Sequence, residues 1–296
     1  MSTNYSKILF VKFFALMLVF SVLIQTKTAI ADTVVDTIYV GGNYAEQMIT
    51  ANGKVYIPLY YSNKVAIIDT ENGNATSTVN VGVEPEDIIS IGTKVYTVNG
   101  GNNTVTAIDT ANGNSTATIS VGSGAYSLMA LGTKIYVPNS SDDTVTIIDT
   151  ENSNATTTIG VGDRPRYISA IGSKLYVTNN DAGTVTIIDT ANGNSTTTVQ
   201  VGGAPVGIIT LGEKLVISDT ANDSIIIMDT ANSNATTSVR VGAAQYYFTS
   251  IDNKIYAANR GDNTVSIIDT ENGNATSTVG TESSPYNLDA IGSKLY

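Results

Sequence analysis

Glu84, Glu86 and Asp87, then Tyr126, then Asp163, Arg164, Arg166 and Tyr167, then Tyr246 and Tyr247, and last Tyr286 are the side chains whose types and places point to recognition. They occupy positions that vary between stretches of sequence that otherwise repeat. Tyrosine and arginine are the residues in which interfaces concentrate binding energy, so the set reads as a surface that docks a protein or glycan partner. The competing reading is that these are merely solvated loop positions. Carboxylates such as Glu86 and Asp163 can also serve as acid or base. Yet the chain contains no histidine and no cysteine, which removes the usual proton shuttle near pH 7, the usual metal ligands and the thiolate nucleophile. Without them a nucleophile with an adjacent base can be assembled only around lysine. Binding without catalysis and without a cofactor is the function these residues favour.

Asn102-Asn103, Asp142-Asp143, Asn180-Asp181, Asn222-Asp223 and Asp262-Asn263 form a second set. Oxygen-rich loops can hold calcium, but no copy has the alternating Asp-x-Asp-x-Asp-Gly spacing, and tight loops prefer Asp and Asn for their own reasons. Asn-x-Ser/Thr triplets begin at Asn74, Asn114, Asn154, Asn194, Asn234 and Asn274, and also at Asn102, Asn139 and Asn222. In a host that glycosylates they are acceptors. The simpler explanation is that Asn makes a hairpin and Ser or Thr starts the next strand.

These side chains must be held by elements that recur. An apolar residue followed by Asp-Thr occurs at Ile68, Ile108, Ile148, Ile188, Met228 and Ile268, always 40 residues apart. Lys-(Val/Ile/Leu)-Tyr recurs in step at 54, 94, 134, 174, 254 and 294, and Lys214-Leu215-Val216 keeps the register. A fixed period of this size is the signature of a repeat architecture. Within the copy that starts at Arg166, the runs Tyr167-Ile168-Ser169-Ala170-Ile171, Lys174-Leu175-Tyr176-Val177-Thr178-Asn179, Thr184-Val185-Thr186-Ile187-Ile188-Asp189 and residues 195–201 are rich in β-branched and aromatic types and are broken by Gly, Asn or Asp. Each unit therefore predicts four strands. Asn72-Gly73, Asn112-Gly113, Asn192-Gly193 and Asn272-Gly273 supply hairpin turns, and no crossover helix intervenes, so the sheets are antiparallel meanders.

A four-stranded meander that is apolar on both faces must hide both, and radial stacking does so while leaving short, protected edges. The expectation is an all-β, seven-bladed β-propeller. Six full repeats span about residues 46–285, and a seventh covers 286–296. Thr37-Ile38-Tyr39-Val40-Gly41 matches the fourth strand of later units, so the strand at 33–41 is expected to close the incomplete last blade. That count implies a sequence cut short at its C-terminus. An extended solenoid is the competing architecture, but it calls for polar capping repeats.

Ahead of the repeats, Lys7 and Lys12 precede an apolar run at 13–20, extended by 22–24, and Ala29-Ile30-Ala31 offers a small-x-small cleavage signal. This pattern predicts a secretory signal peptide over 1–31 and one mature domain over 32–296. An uncleaved N-terminal anchor is the other reading of the same run. The protein is then extracytoplasmic, being secreted, periplasmic or at the cell surface, with no membrane insertion after cleavage. Formal net charge is −11, and losing Lys7, Lys12 and Lys27 with no acid takes it to −14. Such acidity repels phosphate backbones and anionic membranes, so nucleic acid is not an expected partner.

Tyr176-Val177-Thr178-Asn179, Tyr136-Val137-Pro138-Asn139, the following Thr-Val-Thr-Ile-Ile-Asp-Thr, and Val-Gly-x-x-Pro at 81–85, 161–165 and 201–205 resemble the YVTN family of β-propeller repeats across the whole mature chain. The resemblance implies seven blades and a cell-surface setting similar to that of surface-layer proteins. Related propellers include lactonase-like enzymes and virginiamycin B lyase-like proteins. A lactonase-like hydrolase using a metal or carboxylate site at the central channel is accordingly the alternative function. The lyase type is associated with a catalytic histidine, which this chain lacks.

Overall fold

The computed structural model describes residues 7–12, 19–24, 37–40, 44, 47–245, 247–288, 290–291 and 294–295. Among them are six four-stranded antiparallel sheets, each a meander of consecutive strands. Helical structure is confined there to the short 3-10 turns Tyr60–Ser62 and Gly100–Asn102, and among the described residues no helix is long and apolar enough to cross a membrane. The chain divides into two compact units, Met1–Ser120 and Val121–Tyr296.

In the first unit, one sheet holds Ile49–Ala51, Lys54–Leu59, Lys64–Asp69 and Ala75–Asn80, and the next holds Pro85–Ile91, Lys94–Asn99, Thr104–Asp109 and Ser115–Ser120. Tyr56, Val65 and Ile67 of the first sheet meet Ile88, Val95 and Ile108 of the second in one buried cluster. Val55, Ile57, Leu59, Ala66 and Ile68 face the other way and are covered by Ile38 and Val40.

Thr37–Ile38 pairs with Val19–Ile24, which pairs in turn with Lys7–Lys12. The pairing expected for this strand, with the seventh repeat, is not the one formed. Val19–Ile24 offers a partner edge far closer along the chain than the seventh repeat, and closing the shorter loop costs less entropy. The expected cleavage signal at 29–31 and most of the segment 33–41 lie outside the described residues.

In the second unit, four complete meanders begin at Met129–Leu131, Pro165–Ile171, Pro205–Leu211 and Phe248–Ile251, and the pair Ala290–Ile291 and Lys294–Leu295 follows. Alternation along the inner strands explains the stacking. Leu215, Ile217, Ile226 and Met228 join Tyr176, Val185 and Ile187 on one side, while Val216, Ile225 and Ile227 join Phe248, Ile255, Ala257 and Ile268 on the other. Successive side chains point to opposite faces and both faces are covered, so these strands read as unbroken apolar runs. The fourth strands, such as Ser195–Gln200, are largely exposed and Thr-rich, which leaves each sheet a polar outer edge.

Two repeated clasps hold the turns. The Asp of each Ile/Met-Asp-Thr accepts the N–H two residues on, as between Asp189 Oδ1 and Ala191 at 3.1 Å, and the Thr donates to a carbonyl before the second strand, as from Thr190 to Ser173 at 2.7 Å. This is an Asx-type bond, in which a short side chain satisfies the backbone of its own turn. Asn179, at the end of the second strand, is buried and donates to Thr184 and Thr186, both at 2.9 Å. The Gly162 N–H donates to the same Thr186 hydroxyl at 3.3 Å. A Cβ on Gly162 would lie 2.7 Å from Asn179 Nδ2, which is why the repeat needs Gly after Val. Asn99, Asn139 and Asn259 make the same paired bonds to hydroxyls.

Candidate functional site

The links that lead into the first strands turn through a left-handed residue, and in three of them that residue is bulky: Tyr44 (φ 62°), Glu84 (φ 54°) and Arg164 (φ 55°). Such a conformation costs a non-glycine residue roughly 1–2 kcal/mol. Glu84 and Arg164 are held from the loop between the second and third strands, where Asn63 Oδ1 accepts the Glu84 N–H at 3.0 Å and Asp143 Oδ1 accepts the Arg164 N–H at 2.8 Å. Asp142 and Asp262 similarly accept the N–H groups of Ser123 at 2.7 Å and Ala243 at 2.8 Å. The oxygen-rich loops are therefore brackets for the links. Among the described residues no group of three His, Cys, Asp or Glu is placed to hold a metal ion.

Beyond these brackets, the second unit gathers the links' variable side chains. The Tyr126 and Tyr167 rings meet edge to face, with centroids 5.5 Å apart and planes at 88°. The Arg166 guanidinium lies 5.7 Å from the Tyr126 centroid. Tyr167 and Tyr247 bring their phenol oxygens within 3.3 Å of each other, and the Tyr247 and Tyr286 rings are 5.1 Å apart. At the far end, the Arg260 guanidinium stands 5.3 Å from the Tyr286 ring. The result is a continuous run of four tyrosines with a guanidinium over each terminal ring. Tyr167 and Tyr247 are 80 residues apart, and the corresponding position in the repeat between them is Gly207, which has no side chain to interrupt them.

Some predicted residues stand apart from this run. Arg164 is exposed and pairs with Asp181 at 3.2 Å, a contact worth about 0–1 kcal/mol at a surface. Asp163 is exposed. Tyr246 lies outside the described residues. Glu84, Glu86 and Asp87 belong to the first unit, where Glu84 and Glu86 lie beside Tyr60. Burial first, then the charge of Glu84 and its hydrogen bond, push the Tyr60 phenol up to about 12. The Asp87 carboxylate accepts the Ile88 N–H at 2.8 Å.

Arg260, Tyr60, Tyr61 and Tyr44 escaped the reading of the sequence. Arg260 and Tyr60 share one column of the repeat with Gly100, Ser140, Asn180 and Thr220. An arginine and a tyrosine among small polar residues were the available signal.

A scan against protein-family models returns no match, and a search of curated proteins returns none. Solved structures do resemble the chain. Virginiamycin B lyase from Staphylococcus aureus matches with a TM-score of 0.69 and 13% identity, over 85% of this chain and 90% of that one. BamB from Moraxella catarrhalis matches with a TM-score of 0.74 and 15% identity, over 99% and 96%. The computationally designed protein Ika8 matches with a TM-score of 0.75 and 10% identity, over 96% and 91%. The lyase and BamB are β-propeller proteins, and at these identities the likeness shows fold alone: this is an all-β chain of propeller-like four-stranded sheets.

Proposed function

We propose that this chain is a non-catalytic binding module of the YVTN repeat type, seven-bladed and extracytoplasmic after loss of residues 1–31. On this reading the unit Val121–Tyr296 docks a protein or glycan partner through Tyr126, Arg166, Tyr167, Tyr247, Tyr286 and Arg260. The observation that carries the reading is the continuous run of four tyrosines flanked by two guanidiniums. Tyrosine presents a large, rigid, amphipathic surface at low entropic cost, and an arginine already seated over a ring is partly pre-organised. Six complete sheets and the beginning of another at Ala290–Ile291 and Lys294–Leu295 support the count of seven.

Lyase chemistry does not carry over. A catalytically inactive histidine-to-alanine variant of the Staphylococcus aureus lyase is among the similar structures, and this chain has no histidine.

The test uses labelled protein on host cells. Wild type is retained at the surface, and the variant carrying Arg166→Ala and Tyr167→Ala is not, although its melting temperature is within a few degrees. Protease treatment of the cells abolishes retention of a protein-binding module, and periodate treatment that of a glycan-binding one. Equal retention of the variant, or turnover of simple lactones by wild type, refutes the reading.

A further inference from the structure

We infer that Tyr44, Tyr60 and Tyr61, with Glu84 beside them, form a site for a quaternary ammonium group in the unit Met1–Ser120. The three rings stand at steep angles to one another: Tyr44 to Tyr60 at 74° with centroids 5.7 Å apart, Tyr44 to Tyr61 at 56° and 5.8 Å, and Tyr60 to Tyr61 at 84° and 4.9 Å. Rings this close touch one another, so a cation seats on the open side of the cluster, where it still lies within about 6 Å of all three centroids, the range of cation–π attraction. Tyr61 is 69% exposed and Tyr44 39% exposed, so the cluster opens to solvent.

The backbone holds this corner in shape. Tyr44 adopts a left-handed conformation at φ 62°, rare for so bulky a residue, and its carbonyl accepts the Tyr60 N–H at 2.9 Å. Tyr60 and Tyr61 project from the short 3-10 turn Tyr60–Ser62. The carboxylates supply the sign. Glu84 is fixed by its own N–H bond to Asn63 and accepts the Tyr60 phenol, and the charge of Glu86 also reaches that phenol. The phenol keeps its proton up to about pH 12, so around neutrality the local charge comes from the carboxylates.

This chemistry selects a quaternary over a primary ammonium. A trimethylammonium group is weakly hydrated and presents methyl groups to ring faces. A primary ammonium is strongly hydrated and needs several close acceptors to replace that water, whereas this cluster presents mainly ring surface, with part of the Glu84 carboxylate engaged by the Tyr60 phenol. The cluster is opposite in character to the tyrosine–arginine run of the second unit, and the inference is independent of the docking role assigned there.

The chain has no tryptophan and 16 tyrosines, so the difference in tyrosine fluorescence response between wild type and Tyr61→Ala isolates the site. Titration with tetramethylammonium chloride gives a saturable change that neopentyl alcohol, the neutral group of the same shape, and sodium chloride do not. Tyr61→Ala weakens the affinity about two- to fivefold, the loss of one solvent-exposed cation–π contact. Glu84→Gln weakens it with the rings intact, and the melting temperature of Tyr61→Ala stays near that of wild type. An equal response to the neutral isostere, or unchanged affinity in Tyr61→Ala, overturns the inference. Tighter binding of methylammonium than of tetramethylammonium also overturns it, and assigns the cluster to a lysine side chain instead.

Discussion

Glu84 shows how much one side chain can set. Its carboxylate raises the Tyr60 phenol through charge and hydrogen bond, after burial, so Glu84→Gln moves that phenol back toward 10 without reaching it. A difference titration of wild type and Tyr60→Phe near 295 nm, repeated in the Glu84→Gln background, resolves the single ring. Linkage gives the sign. The folded phenol holds its proton to about 12 and the unfolded one only to about 10, so the stability it contributes is complete below pH 10 and is lost as pH rises toward 12. Arg164 supplies a second test, because its left-handed backbone is strained and its pair with Asp181 is exposed. Arg164→Gly is expected to stabilise the fold by about 0.5–1 kcal/mol in urea titration, since glycine adopts that conformation without the Cβ penalty. That the links hold the variable tyrosines and arginines was legible in the sequence, because those positions differ between copies while their neighbours repeat. Tyr44 was hidden for a different reason: it shares a column with Glu84, Gly124, Arg164, Ala204, Ala244 and Ser284, but it precedes the first complete repeat and meets Tyr60 and Tyr61 only through folding.

Strands and turns here are copies, and copies make matched experiments. Ile108, Ile148, Ile188 and Ile268 are fully buried at equivalent positions, so truncating each to alanine is expected to cost about 2–5 kcal/mol by lost transfer energy plus a cavity. Denaturant melts that place Ile188→Ala within the error of wild type would contradict the two-sided stacking. The Asn–Thr–Gly clasp makes a further prediction. Asn179→Ala leaves the hydroxyls of Thr184 and Thr186 without their amide donor and is expected to cost about 1–3 kcal/mol. Gly162→Ala is expected to destabilise as well, because its methyl meets the Asn179 amide at 2.7 Å. Strand number, order and turns were all readable, because local alternation and Asn-Gly hairpins determine them. The clasp was not, because it joins Asn179 to Gly162, a residue that precedes it by 17 positions and is placed beside it only by folding.

At the scale of the molecule, absence of cysteine leaves packing and hydrogen bonds as the sources of stability, and the Asp and Asn side chains of the loops bond to backbone N–H groups. Melting temperature is therefore expected not to change when EDTA replaces calcium in the buffer; a fall of several degrees in EDTA would restore the calcium reading of those loops. The 40-residue period, the four-stranded unit and the acidity were settled by the sequence alone, because each follows from residue type and spacing along the chain. Which tyrosines touch was decided only by tertiary structure. Tyr126, Tyr167, Tyr247 and Tyr286 come from four different repeats, and a local pattern carries no information about which rings meet. Likewise Thr37–Ile38 resembles a blade strand in type, yet its partner is set by whichever edge is nearest when the chain closes, here Val19–Ile24.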